Sequence, residues 1–348
     1  SALRTACSIA PITRTPAQHK LIRNTIEKFR FSNRELRDDY LAAACEVVAF
    51  ILGADVAGTH NELLRAYRAA RTDLNAAKLL PLEVLEGFRG RFHKDVAKEQ
   101  VLRKAAESGK MTEGTKRRVQ KRAQSAGVQV EFDPRKSGAV ELYVYAYEMG
   151  MTQQIREALD DKGRVAAGKL PAQWENIVVI TDTSESMAGH KSQKLRPMAV
   201  SLATRDMLVA SATTCKVITA DGVALDSSAL PQPKGHTDLA LALVGALKDK
   251  PDAVFLITDG YENAPAGRVR DVMDSVRALG IDTPVFQLTP TFAAESKAVR
   301  NLGNLSVTAV QDPGALGISF VLNLLEQDID AGIAALIGTL PRAVITAS

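Results

Sequence analysis

The period of the apolar residues changes halfway along the chain, and that change limits the fold more than any other feature. From about residue 15 to 159 the apolar positions recur at helical spacing, with no convincing alternation of period two. From 177 onward, short wholly apolar runs such as "IVVIT" and "AVFLIT" alternate with amphipathic helical stretches. The first pattern predicts helices over 16–30, 33–52, 61–79, 82–106, 114–126, 139–148 and 153–159. "THNE" offers Thr59 and Glu62 as a capping box, and Pro81 stands at a helix entrance. Helices this long joined by short turns stack antiparallel, as in bundles or α-solenoids. The second pattern predicts strands over 177–181, 216–220, 223–225, 253–258, 284–288 and 306–310. Helices over 195–212, 238–247, 269–279, 294–302 and 315–326 fall between or after them. Apolar strands separated by helices form a parallel sheet covered on both faces.

At 348 residues the chain exceeds one typical core, which suits two domains. The glycines, proline and charges of 160–176 read as a linker, so the expected division is a helical domain over 1–170 and an α/β Rossmann-like domain over 171–328. The remainder, 329–348, is an apolar tail expected to dock on this chain or on a neighbouring subunit. No apolar run is long and uncharged enough to span a bilayer comfortably, and no secretion signal opens the chain as given. Cys7, Cys45 and Cys215 lie far apart among apolar neighbours, which suits reduced thiols and a cytoplasmic protein. The five histidines form no H-x-x-x-H pair, so zinc is not expected. Lys plus Arg against Asp plus Glu is 30 against 22 for residues 1–177, and 14 against 18 for 178–348. A basic half joined to an acidic half suggests a different partner for each.

Behind the first strand, "TDTSESM" crowds an acid, a threonine and two serines. Hydroxyls placed there cost desolvation unless they cap a helix or hold an ion. "PKGHTDLA" puts Thr237 just before a helix, and "FLITDGYEN" puts Asp259 at the carboxyl end of an apolar strand. Thr237 alone reads as a cap, and Asp259 with Gly260 alone reads as a turn. In a parallel sheet all three loops converge beyond the carboxyl ends of the strands. Asp182, Ser184, Ser186, Thr237 and Asp259 are then five oxygen donors, a set for a hard divalent cation such as Mg²⁺, with Mn²⁺ a close substitute. The neutral hydroxyls leave such an ion able to accept an outside carboxylate.

With those residues in view, the segment 176–327 resembles the von Willebrand factor A domain and its metal-ion-dependent adhesion site. The family's D-x-S-x-S pattern reads here as Asp182, Ser184 and Ser186, its threonine as Thr237 and its second aspartate as Asp259. Two departures are His236, where many members carry glycine, and Glu185, an extra negative charge inside the motif. The resemblance implies a metal-dependent receptor for an acidic protein ligand. The order of a helical region followed by this domain also resembles the Ro ribonucleoprotein autoantigens with their TROVE module. "LPLEVLEGF", "MTQQIREAL" and "LPAQWENIVVITDTSESM" carry that likeness. It implies a HEAT-like helical repeat module that binds small structured RNA. The helical region is shorter than that family's ring, so an open crescent or pairing within an oligomer is expected.

"TKRRVQKRAQ" supplies Lys116, Arg117, Arg118, Lys121 and Arg122 as candidate phosphate contacts, or else a solvated helix face. Tyr143, Tyr145 and Tyr147 diverge on a helix and suit a core better than base stacking. No phosphate loop or G-x-S-x-G elbow is present, and only His236 or His190 could serve a metal-bound water as base. The reading is therefore a non-enzymatic RNA-binding scaffold with a metal-dependent protein site. Its alternative is a protein-only adaptor, of the kind that serves an AAA-type ATPase.

Overall fold

The computed structural model describes residues 61–317, apart from 78–79, 171–172, 191–192, 227–228, 263–265 and 292–299, together with Val47, Phe50 and Ile333. The helix expected over 16–30, most of those expected over 33–52, 294–302 and 315–326, and all of the tail but Ile333 lie outside the described residues. The chain forms two compact units divided between Phe132 and Asp133.

The first unit is helical: α1 (Glu62–Ala69), α2 (Leu82–Phe92), α3 (Lys98–Glu107) and α4 (Glu113–Ser125). Their apolar stripes meet in a core that includes Ala70, Leu85, Phe88, Val101, Leu102, Val119 and Ala123. Tyr67 packs edge-on against Phe88 with ring centroids 4.6 Å apart. Asn61 caps α1, its side chain accepting from the amides of Leu63 and Leu64. The single helix expected over 82–106 is two helices. The break at His93 is fixed by a 2.7 Å contact from its Nε2 to the Ala70 carbonyl and by Arg89 Nη1 donating to the Val96 carbonyl at 3.2 Å.

The second unit opens with α5 (Ala139–Met149) and α6 (Gln153–Ala167), followed by β1 (Trp174–Thr181), α7 (Arg196–Ala210), β2 (Ala212–Thr219) and α8 (Leu239–Lys248). It continues with β3 (Ala253–Ile257), α9 (Arg268–Ala278), β4 (Val285–Pro290) and β5 (Ser306–Val310). All five strands are parallel, in the order β2-β1-β3-β4-β5. The run 223–225 contributes only an isolated bridge, Ile218 to Ala224. Every residue of β3 is buried, as expected of a central strand with both faces covered. The order turns between β1 and β3, so the loops leaving these strands open beside one another, where ligand sites of open α/β sheets lie.

Helices α5 and α6, expected in a helical domain ending at 170, pack on α7 within the sheet unit. The cause is α7 itself, which is buried from Pro197 to Leu208 and has no solvent face. It carries Arg205 at 0 % exposure, made tolerable by its anion Asp206 on the same helix and by the Tyr143 hydroxyl of α5. Arg205 donates to Asp206 through Nε at 3.0 Å and Nη2 at 2.7 Å, and to the Tyr143 hydroxyl at 2.9 Å. Arg156 on α6 donates to Asp206 at 2.8 Å and to the Tyr143 hydroxyl at 3.0 Å, while Tyr143 donates to Asp206. Burial holds the Tyr143 phenol well above its usual pKa, with the Asp206 charge adding to the effect. The stretch read as a linker is helical to Ala167 because its charges face outward, where Asp160 pairs with Arg156 and Asp161 with Arg164. Gly163 marks a close approach rather than a break: a Cβ there would lie 3.1 Å from the Asp206 carbonyl oxygen.

Candidate metal centre

The end of β1 is held against β3 by the Asp182 amide, which donates to the Ile257 carbonyl at 2.9 Å. This places the Asp182 carboxylate, at 0 % exposure, in the cleft between the two loops. Its Oδ1 accepts from the Ser184 amide at 2.9 Å and from Thr237 Oγ1 at 3.1 Å, and its Oδ2 accepts from Thr258 Oγ1 at 2.7 Å. The hydroxyls of Ser184 and Ser186 lie 2.9 Å apart. Asp259 accepts from Ser186 and, at 3.1 Å, from the Tyr261 amide. Burial raises the Asp259 pKa above the usual carboxylate range, the bonds from Ser186 and Tyr261 oppose the shift, and the Asp182 charge reinforces it.

Two backbone bonds carry Thr237 to this cluster: Glu185 N–H donates to the Gly235 carbonyl at 3.0 Å, and Lys234 N–H to the Thr183 carbonyl at 2.9 Å. Asp182, Ser184, Ser186, Thr237 and Asp259 therefore converge, although they come from three loops. The capping readings of the first two motifs do not describe what is found. Asp238, not Thr237, caps α8 by accepting from the Leu241 amide. Ser184 precedes the short 3-10 turn Glu185–Ala188 without capping it through its side chain. The turn reading of Asp259 coexists with the cluster, since Gly260 has φ of +82° and a Cβ there would meet the Arg300 carbonyl at 3.0 Å.

Ser184, Glu185, Ser186, Gly235, His236, Thr237 and Tyr261 line a cavity of about 250 Å³ over the cluster. Glu185 and His236, the two departures from the motif, are both exposed on its rim. Arg300 stacks on Tyr261, its guanidinium 3.9 Å from the ring centroid, and its charge lowers the Asp259 pKa. Sequence reasoning missed Thr258. The signal was present as the repeated Ile-Thr-Asp that ends both β1 and β3, at 180–182 and 257–259.

Among the described residues no three His, Cys, Asp or Glu side chains converge, so an ion here would rest on two carboxylates and three hydroxyls. That donor set fits Mg²⁺ or Mn²⁺: all five donors are hard oxygens, and the two carboxylates repel one another across a desolvated cleft that a cation would neutralise.

The basic run lies on α4, where neighbours in its own unit already engage it. Lys116 pairs with Glu113 at 2.9 Å, Arg118 with Glu83 at 2.7 Å, and Arg122 with Glu86. Arg117 is half-buried and Lys121 is exposed. Of the three tyrosines, Tyr143 is in the α5–α7 network, and Tyr147 donates to the Pro231 carbonyl at 2.8 Å. Among the described residues no helix is long and apolar enough to cross a membrane.

No protein-family model and no curated protein sequence matches the chain. Among solved structures it is similar to the Ro (RSR) protein of Deinococcus radiodurans, at 13 % identity, over 89 % of this chain and 77 % of that one, with a TM-score of 0.36.

Proposed function

We propose that the chain is a non-enzymatic binding protein whose α/β unit is a von Willebrand factor A-like module. In this reading Asp182, Ser184, Ser186, Thr237 and Asp259 hold Mg²⁺ or Mn²⁺, and the ion takes a carboxylate of a protein partner. One observation carries the reading. A fully buried aspartate at the end of a central strand gathers donors from three separate loops beneath an open cavity. The metal, when bound, supplies a Lewis-acidic position for the incoming acid. This chain's residues orient it: Asp182 and Asp259 supply the charge, and Ser184, Ser186 and Thr237 supply neutral oxygens that add no further negative charge to repel the partner's acid. Glu185 on the rim selects against ligands carrying a second acid close by. Titration with Mn²⁺ by calorimetry tests the site. Saturable binding that Ser184→Ala with Ser186→Ala removes supports the reading, and unchanged binding in a folded double variant overturns it.

The second reading is an RNA-binding scaffold, favoured by the excess of Lys and Arg in residues 1–177. RNA contact through α4 would compete with Glu83 and Glu86 for Arg118 and Arg122, so the protein-receptor reading has the firmer geometry.

A further inference from the structure

Helix α8, with sequence LALALVGALK, is apolar nearly all round, although only one side of it meets the sheet. Leu239, Ala242, Leu243 and Ala246 are buried in the core, whereas Leu241 is 70 % exposed. Helix α9 is amphipathic, and exposed apolar residues follow its end. Val269, Met273 and Val276 are buried, while Leu279 beyond its end is 76 % exposed and Ile281 39 % exposed. Between the two helices runs a groove of about 900 Å³ whose apolar walls include Leu241, Val244, Val272 and Leu279. A helix face in contact with water alone carries polar residues at such positions, and contiguous exposed apolar surface marks an interaction site. Two adjacent helices present the ridges and groove into which a third helix packs.

The rim identifies the occupant. Lys248 and Lys250 stand at one end with no ion-pair partner among the described residues. Arg268 on the opposite helix is paired with Asp238 at 3.2 Å, and Asp271 is the one acid of the lining. A second copy of this chain would offer the same groove, with only Asp271 to meet these lysines. The chain's own tail, 329–348, has one acidic residue, Asp330, to meet them. We infer that the α8–α9 groove docks an amphipathic helix of a partner protein, with leucine-like residues at i, i+3, i+4 and i+7 and acidic residues along its flanks. The groove shares no residue with the candidate metal centre. Its helix of 10 residues matches a partner contact of about three turns.

The test uses the full chain and two labelled helical peptides of roughly 18 residues, sharing one leucine face and flanked by Glu in one and Lys in the other. Fluorescence anisotropy should show the Glu peptide binding at least about tenfold more tightly than the Lys peptide. Leu279→Asp should abolish that binding with the melting temperature unchanged, and Lys248→Glu with Lys250→Glu should reverse the preference. Equal binding of both peptides, or binding indifferent to Leu279→Asp, overturns the inference. So does a failure of both peptides accompanied by a Leu279→Asp variant that melts earlier or dissociates a dimer, which assigns the groove to this chain itself. Binding to anionic lipid vesicles lost in Leu279→Asp, with both peptides ignored, assigns it to a lipid surface and likewise overturns the inference.

Discussion

Thr258 Oγ1 donates to Asp182 Oδ2 at 2.7 Å, joining the carboxyl end of β3 to that of β1 through side chains as well as through the ladder. The bond explains how a carboxylate with no exposed surface is tolerated. With Thr237 and the Ser184 amide also donating, Asp182 is a structural acceptor before any ion arrives. A site that depends on this residue cannot be dissected by deleting it.

Asp182→Ala should therefore lower stability by about 2–5 kcal/mol, because it strands buried donors as well as removing a ligand. Ser186→Ala, at an exposed residue, should cost less than about 1 kcal/mol while weakening Mn²⁺ binding about tenfold or more. Urea unfolding beside metal titration checks both. Mn²⁺ affinity retained in a folded Ser186→Ala variant would remove Ser186 from the ligand set.

Asp206→Ala should destabilise by about 3–5 kcal/mol, since it leaves the buried guanidinium of Arg205 without its anion. Tyr143→Phe keeps the ion pairs and removes one shared hydroxyl, so a loss of about 1–2 kcal/mol is expected. Denaturant midpoints of the two variants should rank in that order.

Gly163→Ala should cost about 1–3 kcal/mol, because the added methyl sits 3.1 Å from the Asp206 carbonyl oxygen and α6 has to move off α7. On a solvent-facing helix the same change would stabilise. A variant that melts higher than the parent would show that the contact can relax freely.

Burial pushes the Cys215 thiol from 9.0 up to about 12, with the Arg205 charge acting in the opposite direction. The folded chain keeps this proton through a range in which the unfolded chain releases it. The associated stability is therefore complete below about pH 9 and is lost as the pH climbs toward about 12. Urea midpoints from pH 8 to 11 should fall less steeply in Cys215→Ser. Alkylation of Cys215 at pH 8, followed in a variant lacking Cys7 and Cys45, should be slower in the folded chain than in urea.

The RNA reading makes its own demand. If Arg117 and Lys121 contact phosphates, replacing both by alanine should flatten the slope of log affinity against log salt by roughly 1.5. Different RNAs should weaken by similar factors. RNA affinity that is absent at low salt, or unmoved by the double variant, leaves the protein-receptor reading alone.

The α/β pattern was legible because each strand is a continuous apolar run. Ser306–Val310 was predicted to the residue, and Ala253–Ile257 to within one. The five converging oxygens were legible because the sheet order brings the relevant loops together whatever their separation in sequence. What misled was local composition. Gly163 among charges reads as a linker, and only the presence of α7 above it reveals a contact that requires glycine. The 82–106 periodicity runs through His93 unbroken, because the interactions that break the helix come from Ala70 and Val96, outside any local window. Thr258 was overlooked for a similar reason: its partner, Asp182, is 76 residues away.

The buried arginine of α7 also decides where the chain can be cut. A fragment starting at β1 would appear to contain the entire sheet and every candidate ligand, yet it would lack Tyr143 and Arg156 and leave the outer side of α7 against water. Such a piece should aggregate or melt early, and its loss of metal binding would be mistaken for evidence against the site. The compact unit that holds the cleft begins at Asp133, so the two helices ahead of the sheet belong with the cleft and should be kept in any fragment.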